Sequence, residues 1–442
     1  MVEHKFMKVL KFGGTSVGSP ERMKKLVPLI QAPEPKIVVL SAMSGTTNSL
    51  VEISKALHDG QPGQAKQLIG ILEAKYKEVV KALYTKTESL QKGSELIKTH
   101  FEYLNSFCLN PFGNKEEKAI LAQGELLSTA LVHYYLEEVG IPSVLLPALN
   151  FMRIDDNEEP DLHYIEEHIQ KELSRHPSVP VYITQGYICR NVFGEIDNLK
   201  RGGSDYTGTL IGAAIQAEEI QIWTDIDGMH NNDPRVVEKT HPVTELSFDE
   251  AAELAYFGAK ILHPTCVLPA QLRKIPVRLL NTMQPQAKGT LISEKNSGAS
   301  FTAVAAKDDI TAIKIKSGRM LLAYGFLRSV FEVFERYKTP IDMIATSEVA
   351  VSLTIDNTRN LKSILTELRE IATVDVDSEL SIICVVGNFT AEKEGSAFRI
   401  LQSMKEIPIR MISYGGSEHN VSILVKTSHK KAALVALNKG LF

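Results

Sequence analysis

The sequence predicts an α/β protein with a parallel-rich sheet in its first two-thirds and a smaller, repeated α/β region at its end. Three observations lead there. A strand–helix–strand pattern opens the chain and returns over residues 180–226. A turn with adjacent glycines joins the first strand to the first helix. The segments 341–353 ("IDMIATSEVAVSL") and 409–423 ("IRMISYGGSEHNVSI") share I-x-M-I, then Ser-Glu, then an alternating strand ending in Val-Ser-Leu/Ile.

The elements follow in order. Residues 6–12 and 36–42 are short apolar runs, read as buried strands. Between them, 20–30 reads as a helix, with Ser19 as N-cap, Pro20 in the first turn and Glu21 at the positive end of the dipole. Such a unit implies a right-handed crossover between parallel strands. Residues 60–140 are mostly helical in pattern, rich in Lys, Glu and Leu. The unit recurs as a strand at 180–188, a helix at 206–217 and a strand at 219–226. Residues 246–262 read as a helix started by a Ser247–Glu250 capping box. The turn-rich stretch 283–300 leads out of this domain. Each repeat in the tail follows a helical stretch, 325–338 and 395–406.

Composition narrows the function. The chain has 442 residues, 44% hydrophobic and 23% charged, which fits a globular protein of two or three domains. A net charge of -4 gives no electrostatic case for nucleic acid or membrane. No apolar run reaches membrane-spanning length, and the N-terminus lacks a signal peptide pattern. The four cysteines (Cys108, Cys189, Cys266, Cys384) are far apart, as expected of idle thiols in a reducing cytoplasm. No HExxH pattern occurs, and His163 and His168 are poorly spaced for a shared metal.

The opening turn, "KVLKFGGTSVGSP" (8–20), is read by elimination. Gly13, Gly14 and Gly18 do not make the G-x-G-x-x-G of a dinucleotide site. Gly13 and Gly18 have P-loop spacing, but Ser19 and Pro20 stand where Lys and Ser/Thr are needed. A third arrangement puts the lysine at the strand's end. Lys11 then reaches over a turn whose N–H groups, Gly13, Gly14, Thr15 and Ser16, face phosphate oxygens.

"KFGGTSVGS" resembles the N-terminal signature of the aspartokinases, within the amino acid kinase family. "VVLSAMSGTTN" (38–48), "QGELLST" (123–129), "RGGSDYT" (201–207), "IWTDIDGM…NDPR" (222–235) and "ELAYFGAKILHP" (253–264) follow in the family's order. The resemblance implies the amino acid kinase fold, a parallel-rich sheet with helices on both faces, over 1–295. It implies two ferredoxin-like βαββαβ ACT modules over 296–442, the first about 308–378 and the second about 379–442, with 299–306 as a candidate extra strand.

The implied reaction passes the γ-phosphoryl group of ATP to the side-chain carboxylate of L-aspartate. That carboxylate, with a pKa of about 3.9, is already ionised at neutral pH, so no general base is needed. The chemistry asks for cations and N–H donors around two anions. The resemblance gives Lys11 and Asp205 catalytic roles. It gives the nucleotide Lys11, the Gly13–Ser16 turn, Thr224, Asp225, His230, Arg235 and Lys260. Magnesium is expected to arrive on the ATP phosphates, with no direct protein ligand. Arg201 would grip the α-carboxylate of aspartate. Glu125 and Asp205 would take its ammonium, and Ser41, Thr47 and Gly203 complete the substrate set.

Some positions depart from the family pattern. Cys189 and Lys200 replace glycines, Asp197 and Asn198 replace threonines, and His230 stands where a tyrosine is common. The tail looks most like the lysine-sensitive, monofunctional type. Met320, Ala323, Gly325, Phe326 and Leu327 would frame an effector pocket in the first copy. Asp342 would bind the lysine ammonium, with Thr346, Ser347 and Glu348 as the polar wall. ACT pockets form between chains, so a homodimer is expected. The alternatives are threonine as effector, a same-fold kinase for another amino acid, or a catalytically silent amino-acid sensor.

Overall fold

In the computed structural model, the described residues are 7–32, 34–199, 202–258, 262–295, 298–317, 324–389 and 394–442. They form two compact units, Met1–Met229 with Ile261–Lys295, and His230–Lys260 with Asn296–Phe442. The breaks fall at 229/230, 260/261 and 295/296, so 230–260 groups with the tail rather than with the sequence flanking it.

The chain begins β1 (Lys8–Phe12), α1 (Pro20–Ile30), β2 (Lys36–Leu40). Ser19 caps α1 by accepting from the Arg22 amide at 3.3 Å. Lys36, only 2% exposed, donates to the Ile30 and Ala32 carbonyls, a cation at the helix C-terminus. Helices α2 (Thr46–His58), α3 (Pro62–Leu83), α4 (Thr87–Ser106), α5 (Asn114–Leu121) and α6 (Gln123–Glu138) follow. The middle of α6 is buried nearly all round, as its continuous apolar and small residues require. Then come β3 (Ser143–Leu146), α7 (Leu162–Ser174), β4 (Val181–Gln185), the hairpin β5 (Ile188–Arg190) and β6 (Ile196–Asn198), α8 (Gly203–Ile215) and β7 (Glu219–Thr224).

The segment assigned to the second unit supplies β8 (Glu245–Ser247) and α9 (Phe248–Tyr256), after which α10 (Pro264–Arg273), β9 (Val277–Asn281) and β10 (Thr290–Ser293) return to the first. In the first unit the strands run β3–β4–β2–β1–β7–β9–β10. All these pairings are parallel except β9 with β10. Strand β1 lies between β2 and β7, with Lys11 opposite Val39 and Ile222. The core beneath includes Leu10, Phe12, Val38, Leu40, Tyr76, Leu127 and Trp223.

The 246–262 helix is shorter than expected. Its capping box is present, Ser247 accepting from the Glu250 amide at 3.1 Å and Glu250 from the Ser247 amide at 2.8 Å. The helix ends at Tyr256 because Gly258 takes φ +119° against the Ala306 carbonyl, where a Cβ would come to 2.1 Å. In contrast, α8 begins earlier than expected, at Gly203.

The tail holds β11 (Ala303–Lys316), α11 (Phe326–Arg336), β12 (Ile344–Thr346), β13 (Ala350–Ile355), α12 (Leu361–Ile371), β14 (Thr373–Val386), α13 (Ser396–Ser403), β15 (Ile409–Ser413), β16 (Asn420–Lys426) and α14 (Lys430–Leu441). One antiparallel sheet runs β12–β13–β11–β14–β16–β15. The long strands β11 and β14 serve both repeats. Their register shifts between Lys307 and Ala312, beside Asp309 at φ +61°, and the two halves continue into separate cores. Ala303–Lys307 pairs with Ile382–Val386 in the second repeat, whereas Ala312–Lys316 pairs with Thr373–Asp377 in the first.

Candidate active site

Ligands of open α/β sheets bind at the carboxyl ends of the strands, where Lys11, Ser41 and Thr224 lie at or just past the ends of β1, β2 and β7. Lys11, near the end of β1, is buried and places Nζ 2.5 Å from Asp205 Oδ1, an ion pair off the hydrogen-bond direction. Asp205 sits in the first turn of α8. Gly202, at φ +70°, caps that helix so closely that a Cβ would meet Cys266 Sγ at 2.1 Å. Gly203 follows at φ +42°, against Tyr187. Gly208, one turn along α8, leaves room for the Lys11 stem, which would lie 3.2 Å from an added Cβ.

The opening turn is more closed than its sequence suggests. The Gly13 amide donates to Trp223 O at 3.1 Å, and the Ser16 amide to Gly13 O at 2.9 Å. Those two donors are spent, one on the neighbouring strand and one inside the turn, which leaves Gly14 and Thr15 as its amides without a backbone partner among the described residues. Gly14 packs on the Ala42 carbonyl, where a Cβ would come to 2.9 Å. Ser44 fixes the turn from the next strand's end by donating to Gly14 O at 2.9 Å, and Arg22 donates to Thr15 O at 2.8 Å. The Ser16 hydroxyl pairs with that of Thr282 at 2.6 Å. Ser44 and Thr282 were not singled out from sequence. Their only signal is a hydroxyl just past a buried strand.

Glu125, in the first turn of α6, is 4% exposed. Its Oε1 accepts from the Ala42 amide at 3.1 Å, while Oε2 has no hydrogen-bond partner among the described residues. Burial pushes its carboxyl up to about 7, against the pull of the Ala42 amide and the Lys11 charge. Ser41 follows β2, and its carbonyl accepts from Ser128 at 2.7 Å. Thr47 is exposed on the first turn of α2. Tyr187 lies near enough for Glu125 to act on it. Its hydroxyl is pushed up to about 12, mainly by burial.

Thr224 ends β7 and is half-buried, and its hydroxyl donates to the exposed Asp225 at 3.2 Å. Arg201 and Lys260 lie outside the described residues. The altered loop is the β5–β6 hairpin. Asp197 pairs with Lys118 at 2.5 Å, Cys189 is a buried thiol pushed up to about 12 by burial, and both polar atoms of the Asn198 side chain are buried without a partner among the described residues. Lys200 also lies outside the described residues.

In the second unit, His230 Nδ1 is 2.8 Å from the Thr240 hydroxyl. Arg235 grips Asp233 with Nε and Nη2 at 2.9 and 2.8 Å, so its guanidinium is already engaged. Gly325, at φ +88°, caps α11, followed by half-buried Phe326 and exposed Leu327. The Asp342 side chain is buried, whereas Thr346, Ser347 and Glu348 are exposed, Thr346 at the end of β12. Met320 and Ala323 lie outside the described residues. Asp342 has two partners that the sequence did not suggest, Lys307 and Tyr256. Among the described residues no group of three metal-ligating side chains occurs, and no helix is long and apolar enough to cross a membrane.

Comparison with known proteins gives this geometry its context. Residues 7–281 match the amino acid kinase family and residues 383–441 an ACT domain. Aspartokinase 1, chloroplastic, of Arabidopsis thaliana is 34% identical over 98% of this chain and 80% of its own length. Lysine-sensitive aspartokinase 3 of Escherichia coli K12 is 33% identical over 98% of this chain and 99% of its own. The crystal structure of E. coli aspartokinase III with aspartate and ADP, in the R-state, superposes with a TM-score of 0.85 at 32% identity, covering 99% of this chain and 100% of that one. The same enzyme with lysine and aspartate, in the T-state, gives 0.81 at 32% identity and 99% coverage of both chains. The chain therefore belongs to the amino acid kinase family, and within it to the aspartokinases.

Proposed function

We propose that the chain is an aspartate kinase, transferring the γ-phosphoryl group of ATP to the side-chain carboxylate of L-aspartate to give 4-phospho-L-aspartate, the first step toward lysine, threonine and methionine. The observation that carries this reading is the pairing of buried Lys11 with half-buried Asp205 at the carboxyl end of the central strand, with Glu125 offering a buried oxygen without a hydrogen-bond partner among the described residues. An aspartate oxygen forms the new bond to the γ-phosphorus as the bond to the β–γ bridging oxygen breaks, and ADP leaves. Both reactants are anions, so the work is charge neutralisation and alignment. Lys11 supplies the positive charge, and Asp205 holds it in place. The Gly14 and Thr15 amides add donors for phosphate oxygens.

Glu125 Oε2 takes the α-ammonium of aspartate, and Arg201 its α-carboxylate. Ser41, Thr47 and Gly203 border the substrate, while Thr224 and Asp225 face the nucleotide. A magnesium ion carried by the phosphates would supply further neutralisation.

Lysine is the effector in this reading, bound in the first ACT copy by Asp342 with Gly325, Phe326, Leu327, Thr346, Ser347 and Glu348. The lysine bound in the E. coli relative's T-state structure supports it. Exposed Leu327 and Phe331 on α11 suit a homodimer formed through the tail. We place the enzyme in the cytoplasm.

Lys11→Met and Asp205→Asn are expected to lower kcat for aspartate-dependent ADP release by about 100-fold or more. Full turnover by Lys11→Met would remove the lysine from the chemistry.

A further inference from the structure

Asp342 is given to the effector's ammonium, yet an ammonium of the chain already holds it. Its side chain is 1% exposed. Oδ1 accepts from Lys307 Nζ at 2.7 Å and from the Tyr256 hydroxyl at 2.8 Å. Lys307 Nζ also reaches Asp356 Oδ2 at 2.9 Å and lies 4.3 Å from the centre of the Tyr256 ring. Oδ2 of Asp342 is buried and has no hydrogen-bond partner among the described residues. A purely structural ion pair would satisfy both oxygens, because an orphaned buried acceptor is costly. Burial pushes the Asp342 carboxyl up, and Lys307 works against the rise. An incoming ammonium cannot reach Oδ2 without moving a neighbour. Once there, it would face Lys307 across a single carboxylate with little water to screen the repulsion.

We propose that Lys307 is a resident competitor for the effector amine: the amine binds by displacing Lys307 from Asp342, and Tyr256 carries the exchange to α9. This rests on the reading of Asp342 as the effector's carboxylate. Helix α9 is suited to the task because both repeats hold it. Tyr256 bonds Asp342 in the first, and Glu253 accepts from Ser417 and Asn420 in the second, each at 2.8 Å.

The test is calorimetric titration of L-lysine into the full chain, alongside inhibition of turnover, for wild type, Lys307→Met, Lys307→Gln, Asp342→Asn and Tyr256→Phe. Glutamine keeps a donor for Asp342 without the charge, so a poorly folded methionine variant does not decide the matter. Both Lys307 variants are expected to bind lysine about tenfold tighter, to be half-inhibited at correspondingly lower lysine, and to keep their lysine-free activity. Tyr256→Phe should still bind lysine but lose most of the inhibition. Asp342→Asn should not bind. Lysine binding by the Lys307 variants where wild type shows none would also support the competitor. Unchanged or weaker binding by both Lys307 variants, with Asp342→Asn still abolishing it, overturns the competitor and leaves the effector site standing. Full inhibition of Tyr256→Phe overturns the route through α9. Wild-type affinity in Asp342→Asn, or no binding by any variant, overturns the effector site itself and the competitor with it.

Discussion

Glu125 holds a buried carboxyl with one oxygen lacking a hydrogen-bond partner among the described residues, the oxygen proposed to take the ammonium of aspartate. Its carboxyl is held near 7, above its ordinary value of 4.5, chiefly by burial. Between those two values the folded state binds more protons than the unfolded one. This group's contribution to stability therefore falls as pH rises from about 4.5 through about 7. Glu125→Gln removes the buried charge. Its Tm relative to wild type is expected to be higher at pH 8 than at pH 5 by about 2 °C or more, read by thermal denaturation at both pH values. A difference independent of pH would contradict the raised carboxyl. The same variant should lose most aspartate affinity. In wild type, kcat/KM for aspartate should rise through pH 7 as Glu125 ionises. Lys11, Glu125 and Asp205 stand out in the sequence as candidates because each sits in a motif that meets a chemical demand. Ser44, Thr282 and Lys307 were not, because nothing local distinguishes a hydroxyl or a strand lysine whose partner is far away in sequence.

At the scale of elements, the strand–turn–helix at the N-terminus was readable because its cap, proline and glycines are local signals, and Ser19 accepts from Arg22 as a cap should. The use of its amides was not readable. Gly13 and Ser16 are closed off by the neighbouring strand and by the turn itself. The glycine at 14 is there for space. Gly14→Ala would drive a Cβ to 2.9 Å from the Ala42 carbonyl, a backbone atom that cannot swing away. It is expected to cost about 1–3 kcal/mol in denaturant unfolding and to lower turnover more than Gly18→Ala, whose Cβ meets the Ser44 side chain. Equal loss in both variants would contradict a special role for position 14. Helix α9 shows the opposite limit. Its capping box fixed its start, but its end depends on Gly258 meeting the distant Ala306 carbonyl.

At the scale of the molecule, the repeat at 341–353 and 409–423 announced a doubled tail, and each copy supplies two neighbouring strands of its sheet. Periodicity could not reveal that β11 and β14 each run through both copies, since strand pairing is non-local. Nor could it assign 230–260 to the second unit, because that segment carries family motifs of the first. The proposed phosphoryl transfer belongs to the first unit and the proposed lysine sensing to the second. The most direct measurement is aspartyl hydroxamate formed from L-aspartate, Mg-ATP and hydroxylamine, with and without millimolar L-lysine or L-threonine. Product that requires aspartate and is suppressed by lysine alone is the expected result. Absence of product, with ATP and lysine still binding, would contradict the kinase and leave an amino-acid sensor.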